Sequence, residues 1–186
     1  MKKLILASKS PRRQRILKDA GFTFEIKPAD LDEEAYENLP PLEMVKILSK
    51  LKAEKIAADF PEALIIGADT TIDLNGKIIS KPRDLKHAKE MLKELSGSTH
   101  KVFTAYTIVK GKDSTTYYEE TQVIFNDLTD EQIEEYIKSI DVLGFAGAYG
   151  IQDGADAFVK EIKGDYLNVV GLPTSALEKL EVLEVK

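Results

Sequence analysis

Leu4-Ile5-Leu6-Ala7 runs without a polar residue straight into Ser8-Lys9-Ser10-Pro11-Arg12-Arg13. A short apolar run of this kind predicts a buried strand. Ser10 then stands at an N-cap position and Pro11 at the first helical position, the order in which helices tend to begin. A helix-compatible stretch follows to residue 20. Strand, tight turn and helix start leave backbone N–H groups unpaired and aimed at one spot, beside a dipole that favours anions. Two hydroxyls and three cations (Lys9, Arg12, Arg13) crowd that turn, as in a phosphate cradle. The same residues also suit an ordinary capped helix with solvated arginines. A Walker A loop is excluded, because its G-x-x-x-x-G-K-[ST] spacing is absent.

The remaining pattern is mixed α/β. Residues 22–26 predict a second strand, with Gly21 stopping the helix before it. Residues 28–41 are acidic and proline-bounded and read as a surface loop. A long amphipathic helix is expected over 42–60, with Val45, Leu48, Leu51, Ala53 and Ile56 on its buried side. The apolar run 63–68 predicts a buried strand that delivers Asp69-Thr70-Thr71 at its polar end. Asn75-Gly76 signals a hairpin, Asp84 caps a helix to about residue 95, and 102–109 and 117–125 read as antiparallel strands. Thr129 and Gln132 fit a capping box for a helix to about residue 140. The glycine-rich stretch 144–154 precedes a strand over 158–162, a loop over 164–171 and a last helix beginning at Pro173.

The chain's 186 residues suit one domain, either simple or of two lobes around a cleft. Charged residues at 31%, with no apolar run of bilayer length, argue against a membrane protein. Met1-Lys2-Lys3 is basic, but the apolar stretch after it is too short for a signal peptide, so a cytoplasmic protein is expected. The absence of cysteine removes disulfides, thiolate zinc sites and cysteine nucleophiles together. With His87 and His100 the only histidines, a metal would be held by oxygen, which points to Mg²⁺ or Mn²⁺. A net charge of −6 argues against a general nucleic-acid binder.

Three junctions read as strand-to-loop transitions ending in polar residues: 8–13, 69–71 and 150–153. In α/β sheets, ligands gather beyond the carboxyl ends of strands. Asp69, after a fully apolar run, suits a metal ligand or a water-orienting carboxylate, and it also suits a cap for the next turn. Lys52 within the long helix and Lys81 before Pro82 are either phosphate ligands or solvated lysines. Glu33 is one carboxylate among several in the acidic loop. Together, Arg12, Arg13, Lys52, Lys81, Glu33 and Asp69 match the needs of nucleoside triphosphate hydrolysis: cations and a hard divalent ion to neutralise phosphate charge, and a positioned water.

Seven ordered motifs then resemble the Maf family of nucleoside triphosphate pyrophosphatases. They are L-A-S-x-S-P-R-R (6–13), K-A (52–53), G-A-D-T (67–70), K-P (81–82), L-S-G-x-x-H-x-V-x-T (95–104), A-G-A-Y-G-I-Q (146–152) and V-G-L-P (170–173). The resemblance spans essentially the whole chain, residues 1–186, as a single Maf-like domain. It implies an inosine-triphosphatase-like fold: a mixed twisted sheet with flanking helices, two lobes and a central cleft. It implies a house-cleaning enzyme that cleaves dTTP or UTP to the monophosphate and pyrophosphate with a divalent cation, Mg²⁺ or Mn²⁺. Catalytic roles fall on Asp69, Lys52 and Lys81, and metal binding on Glu33 and Asp69, with Asp32 and Glu34 flanking that register. Substrate binding falls on Ser8, Arg12, Arg13, Thr70 and Gln152, of which Arg12, Thr70 and Gln152 mark the dTTP/UTP branch. The alternatives are a nucleotide-binding regulator of cell division with little turnover, and a 7-methyl-GTP pyrophosphatase. The expected partner is the nucleotide, without nucleic acid or membrane, and a homodimer is compatible with the sequence. The chain departs from the family pattern in two places: Leu143-Gly144-Phe145 stands where an L-D-K-type lead-in is usual, and Asp153 stands where a glycine is common.

Overall fold

The first strand, β1 (Leu4–Leu6), is fully buried and leads into helix α1 (Pro11–Asp19), capped by Ser10 as expected. The computed structural model describes residues 3–183, apart from the Glu34 side chain; Met1 and Lys2 of the basic N-terminus lie outside the described residues. Helix α1 closes in a Schellman motif: Gly21 N bonds Lys18 O at 2.9 Å and Phe22 N bonds Leu17 O at 3.0 Å, with Gly21 at φ +83°. Because the helix end holds the Phe22 amide, strand β2 begins two residues later than expected, at Phe24–Ile26.

Helix α2 (Pro41–Asp59) precedes strand β3 (Leu64–Leu74) and the short β4 (Lys77–Ile79). Helix α3 (Leu85–Leu95) leads to the long strands β5 (Thr99–Lys110) and β6 (Asp113–Phe125). Helix α4 (Asp130–Ser139) carries the expected capping box, and strand β7 (Val159–Lys163), α5 (Tyr166–Val170) and α6 (Thr174–Val182) complete the chain. The sheet runs β2-β1-β3-β5-β6-β7, with β4 on β3. β1 is parallel to β2 and β3, and the other pairings are antiparallel. The mixed sheet with flanking helices agrees with the expected fold class.

Several expectations need correction. Asp69 does not end a strand: β3 continues to Leu74, and Asp69 pairs with Ala105 and Thr70 with Thr104 on β5. Asp69 finds its partner on α2, in Lys52, and Thr70 finds one across the sheet, in Thr104, neither of which the local sequence displays. Residues 150–153 follow two 3₁₀ turns, Val142–Gly144 and Ala146–Ala148, so no strand leads into them. The expected loop 164–171 contains α5, capped by the Asp165 carboxylate accepting from Leu167 N at 2.9 Å. The acidic loop 28–41 holds one 3₁₀ turn, Glu34–Tyr36.

Strand alternation sorts the core onto two faces. Ile5, Ala7 and Ile65 pack with Ala53 and Ile56 of α2. Leu4, Leu6, Leu64 and Ile66 pack on the opposite face with Leu17, Val170 and Leu180 of α1, α5 and α6. Asp69 therefore faces α2, and Thr70 faces α1 and α5. Gly67 marks the closest approach of α2 to β3: a Cβ there would lie 2.6 Å from Ser49 O and 2.7 Å from Ala53 N. Both are backbone atoms, so the helix itself would have to move. Gly67→Ala is expected to cost about 2 kcal/mol and to displace Lys52, one residue before Ala53. Thermal melts and turnover measured together test this; wild-type values for both would contradict it.

Beyond Ile72 a third layer forms, with α3 and α4 packed around Phe125, Phe158 and Tyr149. His100 is buried there, 2.8 Å from the Tyr149 hydroxyl and edge-on to Phe125. Burial pushes its pKa down to about 4. The unfolded chain then binds a proton that the native state refuses, so this contribution weakens stability as pH falls from about 6.5 to about 4. Roughly 3 kcal/mol is at stake over the full window. The drop in Tm between pH 7 and pH 4.5 should be larger in wild type than in His100→Gln; equal drops would contradict the assignment.

Candidate active site

The topology leaves a fork in the sheet. β1 pairs with β3 only at residues 64–66, its last bond being Ala7 N to Ile66 O at 2.8 Å, and β4 pairs with β3 at residues 72–74. Among the described residues no strand covers this edge of β3 between those two stretches. The chain leaving β1 carries Ser8 and α1 into the fork from one side. Antiparallel β4 ends at Ile79 beside Ile72, so Ser80-Lys81 enters from the other side. Of the polar residues that the sequence placed beyond strand ends, Ser8, Arg13, Asp69 and Thr70 meet instead at the middle of β3.

On the α2 face, Lys52 replaces an apolar residue in the buried stripe of the helix, while Leu51, expected there, is only half-buried. Lys52 Nζ lies 2.6 Å from Asp69 Oδ1 and 2.8 Å from Glu33 Oε1. Lys52 and Asp69 are both 7% exposed. Burial raises the Asp69 pKa above the ordinary carboxyl value, against the pull of Lys52 and Arg13. Burial acts the same way on Glu33, but Lys52, Lys81 and Arg13 together hold its carboxyl below the usual range. Lys81 is solvent-exposed and near enough to act electrostatically on Glu33.

On the other face, the Arg13 guanidinium is buried and bonded to neutral oxygens: Gly171 O at 2.8 Å, Ser8 Oγ at 3.1 Å and Thr70 Oγ1 at 3.0 Å. Burial lowers its pKa, while Asp69 and Glu33 oppose that shift. A cation held by neutral dipoles at the head of α1 is well placed to receive an anion.

Arg12 points elsewhere. Its guanidinium lies over the Phe145 ring at 4.3 Å from the centroid and donates to Gly144 O at 3.4 Å. Burial and Arg13 lower its pKa, while Asp153 and Tyr136 oppose the shift. Gln152 is exposed and lines a shallow depression with Arg15, Ile151, Asp156 and Tyr166. The structure thus joins Glu33, Lys52 and Asp69, leaves the exposed Lys81 within electrostatic reach of Glu33, links Ser8, Arg13 and Thr70 on the other face, and turns Arg12 toward the glycine-rich segment that carries Gln152. Sequence reasoning missed Gly67, Thr104 and Asn168 as supports of the site. Polar threonines inside the apolar run of β5 were the available signal for Thr104.

Among the described residues no group of three or more His, Asp or Glu side chains forms a ready metal cage. Glu33 and Asp69, drawn together by one ammonium, fit a hard divalent ion that takes one or two carboxylates and completes its shell from substrate phosphates, the habit of Mg²⁺. Among the described residues no helix is long and apolar enough to cross a membrane.

A family model described as Maf-like protein matches residues 3–182. A Bacillus pumilus (strain SAFR-032) protein described as dTTP/UTP pyrophosphatase is 45% identical over 184 residues, covering 99% of this chain and 96% of the relative. A Carboxydothermus hydrogenoformans protein with the same description is 48% identical over 177 residues, covering 94% and 95% respectively. The solved structure of a HAM1 protein from Coxiella burnetii shares the fold, with TM-score 0.51 at 10% identity over 99% of this chain and 98% of that one.

Proposed function

The chain belongs to the Maf-like protein family, and from that premise we propose that it is a nucleoside triphosphate pyrophosphatase acting on dTTP and UTP. We read residues 1–186 as a single catalytic domain with the nucleotide as its partner. The observation that carries the reading is the buried Lys52 bridging Glu33 and Asp69 at 2.8 and 2.6 Å. It lies beside Arg13, in a chain so similar to relatives described as dTTP/UTP pyrophosphatases.

In this reading the triphosphate lies along the fork. Arg13, with Ser8 behind it, binds phosphoryl oxygens from the α1 side, and Lys81 binds them from the β4 side. Asp69 orients a water toward the α-phosphorus and accepts its proton, a role suited to a buried carboxyl with a raised pKa. Lys52 keeps Asp69 turned into the fork and stabilises charge as the leaving pyrophosphate forms. Glu33 and Asp69 would hold Mg²⁺ or Mn²⁺, which supplies charge neutralisation that side chains alone do not match. Arg12, Thr70 and Gln152 would contact the nucleoside.

Activity should appear with dTTP and UTP in the presence of Mg²⁺ or Mn²⁺ and collapse in excess EDTA. A pyrophosphate-release screen over the common and 7-methylated nucleotides checks this. Preference for 7-methyl-GTP, or tight binding of dTTP without turnover, would contradict it.

A further inference from the structure

A chain of hydroxyls leads from the site into the core on the α1–α5 face. Thr70 Oγ1 accepts from Arg13 Nη2 at 3.0 Å and lies 2.9 Å from Thr104 Oγ1. That distance alone does not say which hydroxyl donates, but the next link does. Thr104 Oγ1 is 2.9 Å from the backbone carbonyl of Asn168, a group that only accepts. Asn168 is fully buried, and its side-chain amide donates to Val102 O at 3.0 Å and to Thr121 Oγ1 at 2.9 Å. The amides that a continuing helix would bring to its carbonyl, Gly171 N and Leu172 N, both bond Leu167 O instead, at 3.0 and 3.1 Å. Gly171, at φ +123°, turns the chain out of α5. Among the described residues no other donor reaches this buried carbonyl, so the loss of Thr104 would leave it unpaired, a costly state. Thr104 therefore gives its single proton to Asn168 and can only accept from Thr70, whose own proton is thereby committed.

We infer that Thr104 is a positioning residue that fixes the hydrogen-bond polarity of Thr70, so that a bound nucleotide meets the Thr70 oxygen as an acceptor only. The inference rests on the reading above, in which Thr70 touches the nucleoside. An acceptor disfavours phosphoryl oxygens and selects a hydrogen-bond donor. Thymine and uracil carry one at the N3 imino group, where cytosine presents a bare acceptor nitrogen. The 3′-hydroxyl of the sugar is the other donor common to dTTP and UTP. The end of α5, acting through Thr104, thus sets which nucleosides Thr70 accepts.

The test is kcat/KM for UTP, CTP, N3-methyl-UTP and 3′-deoxy-UTP in wild type, Thr104→Val and Thr104→Ser. Wild type should disfavour the analogues lacking the recognised donor by about 10-fold or more relative to UTP. Discrimination against CTP and N3-methyl-UTP assigns the imino group; discrimination against 3′-deoxy-UTP assigns the sugar. Thr104→Val frees the Thr70 proton and should shrink that discrimination about 10-fold, whereas Thr104→Ser should keep the wild-type ratio. If Thr104→Val does not fold, Thr70→Val, which removes the acceptor, should likewise level UTP with the disfavoured analogue. UTP turnover with ratios unchanged in these variants would overturn the inference and leave the proposed function standing. A wild-type protein that neither binds nor cleaves any of these nucleotides would overturn both.

Discussion

Asp69→Asn is expected to lower kcat for dTTP by roughly 10²–10⁴-fold while the protein stays folded. The carboxylate acts mainly in the transition state, so its loss falls on kcat more than on binding. Arg13, Lys52 and Lys81 remain to hold the triphosphate, and nucleotide affinity should persist. Stability should change little, within about 3 °C in Tm. Burial already disfavours the Asp69 charge, and Lys52 keeps Glu33 as a partner at 2.8 Å. If Asp69 were a structural cap, the pattern would reverse, with a lowered Tm and normal turnover of the folded fraction. Measuring kcat, dTTP affinity and Tm on one preparation separates the two.

Lys52→Met removes the ammonium from between two carboxylates, one of them buried. Breaking a buried pair from one side leaves an uncompensated charge, and a cost of about 3 kcal/mol is expected, or roughly 6–12 °C in Tm for a chain of this size. The value of kcat/KM should fall by about 10²-fold or more, because the charge that stabilises the leaving pyrophosphate is lost with it. Adding Asp69→Asn to Lys52→Met should restore part of the stability and none of the activity. The stability cycle should show a coupling of at least about 1 kcal/mol. Strict additivity of the two substitutions would show that the contact at 2.6 Å contributes nothing to the fold.

What the sequence reveals follows how local the physics is. The β1–α1 unit is legible because Ser10, Pro11 and Gly21 act on their own neighbours, and the Thr129–Gln132 capping box is legible for the same reason. Asp69 is a harder case. Asp69-Thr70-Thr71 looks like the polar end of a strand. Its partners are Lys52, Arg13 and Thr104, far away in the chain, and β5 carries the pairing through. The fork that admits Lys81 and Ser8 arises from β1 and β4 each covering only part of β3, which no local pattern displays. Motif resemblance named the charged residues of the site without explaining their arrangement. It also grouped Arg12 and Gln152 with the rest, whereas the structure turns Arg12 against Phe145, toward the glycine-rich segment that carries Gln152. Gly67 belongs to the G-A-D-T motif for a steric reason: α2 rests on its bare Cα, and this closeness brings Lys52 to Asp69.

The most direct test is hydrolysis of dTTP in ¹⁸O-labelled water, with the products separated and weighed by mass spectrometry. Attack at the α-phosphorus, with Asp69 orienting the water, places the label in dTMP and releases unlabelled pyrophosphate. Label in pyrophosphate, or dTDP and phosphate as the primary products, would contradict the assigned reaction.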